Sequence, residues 1–186
     1  MRSTRSLWGV SVPEITIHQR GSLIQTVTLP PVWGQNIRGQ VGGVDCSLLV
    51  DGTRVCQRYR TPRTAQITET DGTVRHVKVA GSGGHATRKA HRRRGYNARL
   101  DAAFLAAAQA DGYDLAMLFC VHAQAAYNGR LGWHMRSPAD RPVTYEQPGA
   151  TRPVPCPSGI WTGIVALQPG LDVMTIRAIH VEGLPW

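Results

Sequence analysis

Residues 91–100 read HRRRGYNARL: three arginines run directly into a glycine, and a helical pattern follows. That order places a turn at the start of a helix, where the first-turn N–H groups have no partner within the helix and the helix dipole adds positive potential. The chemistry such a turn performs is the holding of an anion, above all a phosphate. Gly95 lets the backbone curl and a ligand come close, and the arginines add counter-charge. Two common phosphate-binding patterns are excluded. There is no Gly-Lys-Ser/Thr for a Walker A loop, and GSGGHA lacks the third glycine in register for a dinucleotide fold. Metal chemistry has no visible ligand set either. The seven histidines show no ligand spacing, and Cys46, Cys56, Cys120 and Cys156 form no CxxC pair.

The elements that must position this turn can be read on both sides of it. Asp51-Gly52 and Asp71-Gly72 each separate extended, β-branched runs, a strong hairpin signal because both central residues of the turn need positive φ. Residues 47–87 therefore read as a three-strand antiparallel meander, with its middle segment bent or bulged near Pro62. The third strand ends in VAGSGGHAT, residues 79–87, whose glycines imply a bulge or the close approach of another backbone or a ligand. After the arginines, Leu100, Phe104, Leu105 and Ala108 form one helical stripe that Gly112 ends. The apolar run at 113–121 reads as a strand buried on both faces and parallel to the strand before the turn. A short helix over 123–131 follows, then proline-rich loop at 138–157 around one short strand, then a strand at 160–167. In the first 45 residues PEITIHQ and LIQTVTL alternate like strands, and no amphipathic helix is visible.

The formal charge is +9, carried by 19 arginines and only two lysines, Lys78 and Lys89. A basic balance favours polyanionic partners, and Arg88, Lys89, Arg92, Arg93, Arg94 and Arg99 would form the patch. Arginines are nevertheless spread along the whole chain beside many alanines and glycines, which is also the signature of a GC-rich genome. The arginine stretch at 92–94 is not interleaved with aromatics for base stacking, so nucleic acid is not the expected partner. The opening MRSTRSLWGV has no sustained apolar run, and no segment is long enough to span a bilayer, so a cytoplasmic protein with reduced thiols and no membrane partner is expected. The length suits one domain with a real core.

Arg92-x-x-Gly95-x-Asn97 at a strand-to-helix turn resembles the pyrophosphate loop of the GCN5-related N-acetyltransferase (GNAT) family, Gln/Arg-x-x-Gly-x-Gly/Ala. The resemblance extends to GGHATRKAHRRRGYNARLDAAF as that family's fourth strand, loop and third helix, and to GYDLAMLFC as its fifth strand. GRLGW at 129–133 is similar to a segment that follows its fourth helix, and the Asp-Gly hairpins match its second to fourth strands. The terminal EGLPW is similar to an aromatic tail in bacterial members of the aminoglycoside 2′-N-acetyltransferase kind.

The resemblance implies an α/β (α+β) GNAT fold: a mixed, mostly antiparallel central sheet with helices on both faces, splayed at strands 4 and 5. It implies a single domain over 1–186, with an atypical segment at 1–45, an acetyl-CoA-binding core at 47–134 and C-terminal strands at 138–186. The implied reaction is acetyl transfer from acetyl-CoA, without a metal, to a primary amine of a small-molecule acceptor, and a homodimer is compatible with it. Arg92, Arg93, Arg94, Gly95, Tyr96, Asn97 and Ala98 would hold the pyrophosphate, with Asn97 standing where the family has glycine or alanine. His85, Ala86 and Thr87 would pair with the pantetheine arm. The family's general acid, a tyrosine, lies four residues before the glycine of Leu-Gly-Trp, a place held here by Asn128, with Tyr127 one residue earlier. Both stay open as occupants of that position. Gly83 stands where the aminoglycoside enzymes have an acidic residue, which leaves His85, Glu182 and the carboxylate of Trp186 as candidate bases.

Overall fold

A computed structural model describes residues 14–19, 44–50, 53–140, 142–147 and 149–183, with side chains from residue 46 onward. Its centre is the meander of β2 (Val44–Val50), β3 (Thr53–Glu69) and β4 (Val74–Thr87). Val50 pairs with Thr53, so β2 and β3 close on each other across residues 51 and 52, which lie outside the described residues. β1 (Glu14–Gln19), a strand where the alternation of PEITIHQ predicts one, pairs antiparallel with β2, while the LIQTVTL segment lies outside the described residues.

β3 is long because it has two successive neighbours on one edge. β2 runs along it as far as Arg60, and β10 (Ile176–Glu182) begins at Thr64. Pro62 falls in the gap between them, where a missing N–H interrupts neither ladder. Its other edge still pairs in register, Pro62 with Ala80. The irregularity expected near Pro62 is instead a bulge nearer the start of β3. Between the pairs Gln57–Ala86 and Tyr59–Gly83, β4 carries one more residue than β3.

A left-handed Gly95 (φ +73°) leads into helix α1 (Tyr96–Ala110), and β5 (Leu115–Val121) then returns parallel to β4. α2 (His122–Arg130) follows β5 directly. The remaining strands are β6 (His134–Arg136), β7 (Val143–Tyr145), β8 (Val154–Pro155) and β9 (Ile160–Ala166). Among the described residues the strands form one sheet in the order β6-β9-β5-β4-β3-β10-β7-β8, with β2 and β1 branching from β3. The β4–β5 and β7–β10 pairs are parallel and the others antiparallel.

Alternation along β5 divides the core. Ala116, Leu118 and Cys120 join Leu100, Phe104 and Ala108 of α1, Ala125 of α2 and Trp133 in one cluster. Leu115 and Met117 join Ile67, Val79, Ile164, Ile176 and Ile179 on the opposite face. The sequence reading expected helices on both faces. Among the described residues α1 and α2 both pack into the first cluster, and the second is closed by strands with Leu171 and Val173 of a connecting loop.

Candidate active site: the cleft where two strands part

β4 and β5 are paired only from Val79–Leu115 to Ser82–Leu118. Beyond that point both strands continue unpaired with each other, and a cleft of about 940 Å³ opens between them. That volume is at the upper end of what small-molecule and cofactor sites use. One wall is the end of β4 and the loop after it, and the other is the end of β5 and α2.

The β4 wall is shaped by glycine. A Cβ on Gly84 would stand 2.0 Å from the Tyr59 ring, and one on Gly83 would stand 2.7 Å from it. Gly84 also has φ +62°. The bulge, one of the explanations of GSGG that the sequence left open, is present, and the group that comes close to its glycines is an aromatic side chain of β3.

Behind this wall lies a polar network that sequence reasoning missed. The Arg58 side chain is fully buried and pairs with the buried carboxylate of Asp101 on α1. Trp133 Nε1 donates to the same carboxylate, at 3.2 Å to Oδ1 and 3.1 Å to Oδ2, and the Arg58 guanidinium lies 5.1 Å from the centre of the Phe104 ring. Burial pulls the Arg58 pKa down, and the Asp101 carboxylate pulls back. The available signal was Asp101 itself, an acid on the same helical face as Phe104 and Ala108, which calls for a buried partner.

The network reaches the cleft through His85. Arg58 Nη2 lies 3.2 Å from His85 Nδ1, and His85 Nε2 lies 2.9 Å from Ser82 Oγ. A guanidinium can only donate, so Nδ1 is the accepting nitrogen and Nε2 carries the proton toward Ser82. His85 is an exposed residue of the cleft lining, yet both of its ring nitrogens are held, by Arg58 and by Ser82. Desolvation by the neighbouring protein groups, and then the Arg58 charge, push its pKa below the ordinary histidine value. Water in the open cleft weakens the first cause but leaves the adjacent cation in place. The imidazole is thus neutral, with its lone pair already occupied.

The loop after β4 begins with a short 3₁₀ turn, Lys89–His91, and passes through Arg93 at φ +62° and Gly95 at φ +73°. A Cβ on Gly95 would meet nothing within 4 Å, so the glycine is required by its backbone angle. A backbone bond from Arg99 N–H to Gly95 C=O opens α1, which leaves the amides of Tyr96, Asn97 and Ala98 ahead of it. Arg92, Arg93, Gly95, Tyr96, Asn97 and Ala98 all line the cleft, as do His85, Ala86 and Thr87. Arg94 is exposed and is not among the lining residues.

Tyr127 and Asn128 also line the cleft, but one residue of helix turns them apart by about 100°. Tyr127 is exposed, and its hydroxyl accepts a 2.9 Å hydrogen bond from Asn97 Nδ2. Asn128 is buried and bonds Cys120, whose thiol pKa is raised by burial, with the Asn128 bond acting against the rise. Glu182 is not among the lining residues and instead meets Thr64 Oγ1 and His76 Nδ1. Trp186 lies outside the described residues. Among the described residues no group of three His, Cys, Asp or Glu side chains could hold a metal, and no helix is long and apolar enough to cross a membrane.

Residues 62–136 match the family model described as an acetyltransferase (GNAT) domain. That segment runs from the middle of β3 to the end of β6 and contains most of the residues that line the cleft. No curated protein matches. A putative N-acetyltransferase from Lactobacillus plantarum is similar over 84% of this chain and 99% of that one, at 12% identity and a TM-score of 0.51, a likeness of fold. A GNAT family N-acetyltransferase (YhbS) from Escherichia coli, solved in complex with CoA, matches at 16% identity and TM-score 0.49, covering 76% of this chain and 67% of that one. Eis1 from Mycobacterium abscessus matches at 17% identity and TM-score 0.46 over 70% of this chain, which spans about a third (35%) of its length.

Proposed function

We propose that this protein is an N-acyltransferase that moves an acetyl group from acetyl-CoA to a primary amine of a small molecule. The observation that carries the reading is the cleft at the β4–β5 splay, with a bulged strand on one side and a helix N-terminus at its end, inside the segment that matches the acetyltransferase domain.

In this reading the amides of Tyr96, Asn97 and Ala98 hold the pyrophosphate, and Arg92, Arg93 and Arg94 lend counter-charge. The bulge at Gly84–His85 turns an amide out of the β3 ladder toward the thioester carbonyl, where it stabilises the oxyanion as the amine adds to the carbonyl carbon. The C–S bond then breaks, and Tyr127 protonates the departing thiolate. His85 acts through its fixed, neutral ring rather than as the base, because Arg58 occupies its lone pair. The attacking amine, with an ordinary pKa of about 10, gives its proton to water in the open cleft.

A second reading, an acyl-CoA binder without transferase activity, is favoured by Asn128, buried against Cys120 at the place that the motif count assigns to the acid. Release of free thiol from acetyl-CoA over a panel of amines, aminoglycosides included, tests the two readings. Amine-dependent thiol release supports the transferase. Saturable CoA binding with no release over the panel supports the binder.

A further inference from the structure

We infer that Asn97 is a positioning residue for the Tyr127 phenol, an inference that rests on the acyl-transfer reading above. Four side chains form a directional chain across the cleft. Thr87 Oγ1 and Cys56 Sγ are 3.2 Å apart, Cys56 Sγ–H points to Asn97 Oδ1 at 3.9 Å, and Asn97 Nδ2 donates to Tyr127 Oη at 2.9 Å. Cys56 has one proton, and directing it at Asn97 leaves its sulfur to accept from the Thr87 hydroxyl. Each group then donates to the next, from β4 through β3 and α1 to α2.

The direction of that chain fixes the last proton. An amide N–H cannot accept, so the Tyr127 hydroxyl cannot turn its own hydrogen toward Asn97 and must present it elsewhere. The residue lines the cleft, so a leaving thiolate there meets a phenol whose other side is already held. Once the proton has moved to sulfur, the phenolate faces the Asn97 N–H groups and the positive end of α1, with the Arg130 guanidinium 5.9 Å from its ring centre. The side chain at position 97 therefore supplies something that glycine or alanine cannot, while the backbone amide of the same residue remains available to an anion.

The test is a double-mutant cycle on the full chain, with acetyl-CoA and an amine that the wild type accepts, alongside calorimetry with CoA. Asn97→Ala is expected to lower kcat about tenfold while leaving the KM for acetyl-CoA and the CoA affinity within about threefold. Tyr127→Phe should lower kcat at least as far, and adding Asn97→Ala to it should cause no further loss, the non-additivity of residues that act as a unit. Asn97→Asp, which keeps the shape but replaces the donor, should behave like Asn97→Ala. Additive losses, a loss confined to KM or CoA affinity, or a fully active Asn97→Asp variant would overturn the inference and leave the transferase reading standing. A wild-type protein that releases no thiol over the amine panel overturns both.

Discussion

Two sets of arginines, one within β3 and one on the loop ahead of α1, differ in almost everything except their chemistry. Arg58 and Arg60 sit inside β3, buried and partnered: Arg58 by Asp101, and Arg60 by Asp111, with its guanidinium 4.8 Å from the centre of the Tyr113 ring. Arg92, Arg93 and Arg94 are exposed on the loop ahead of α1. A strand alternates its side chains between faces, so an arginine on the inward face must carry its own counter-charge into the core. A loop arginine meets water and needs none. Formal charge counts both sets alike, and so overstates how much of this protein's basicity is offered to a partner.

The largest difference between the two sets is expected when their members are truncated one by one. Arg58→Ala leaves Asp101 buried without its cation, and Asp101→Ala strands the guanidinium. Either should cost about 3–5 kcal/mol in denaturant unfolding. A loss below about 1 kcal/mol would mean that water reaches the pair.

The next effect separates backbone from charge in the loop. Gly95→Ala meets no atom but must hold φ at +73°, which costs about 1–2 kcal/mol. It should weaken CoA binding by about tenfold with all the arginines intact, as calorimetry would show; unchanged affinity would return the loop to its charges.

A smaller effect is carried by His85. Its folded pKa is depressed, so the unfolded chain binds more protons as the pH falls through about 6.5 and below. Its contribution to stability is fully present above that pH and is lost as the pH drops toward the folded value. His85→Gln should flatten this acid limb in pH-dependent melts. A limb that the variant leaves unchanged would show that the imidazole titrates freely.

The smallest effects belong to the exposed arginines. Arg92→Ala or Arg93→Ala should weaken CoA binding by about threefold or less, and less still at high salt. A larger, salt-resistant loss would show that the guanidinium is a specific ligand.

Much of the core of the fold was legible because local chemistry and tertiary structure agreed. Asp71-Gly72 marks a hairpin that forms, the Leu100–Phe104–Ala108 stripe is the buried face of α1, and the apolar run at 113–121 contains β5, parallel to β4. β10 was not legible, because a register shift between Ile176 and Ala178 breaks its alternation and leaves Ile176 and Ile179 buried three residues apart, a helical spacing. The helices' common cluster was hidden too, since periodicity shows which stripe is apolar but not which face of the sheet it meets. At the site, the cleft-lining loop could be read from Gly95 and its spacing. Arg58, Asp101 and Trp133 could not, because their partnership joins residues 43 and 32 positions apart.

Whether the cleft is a CoA site is decided by a calorimetric titration of CoA into the full chain, followed by challenge with a random oligonucleotide. Saturable binding is expected below millimolar CoA, weakened by Gly95→Ala more than by Arg92→Ala and not displaced by the oligonucleotide. No binding at millimolar CoA, or salt-sensitive oligonucleotide binding that CoA does not compete for, would contradict it.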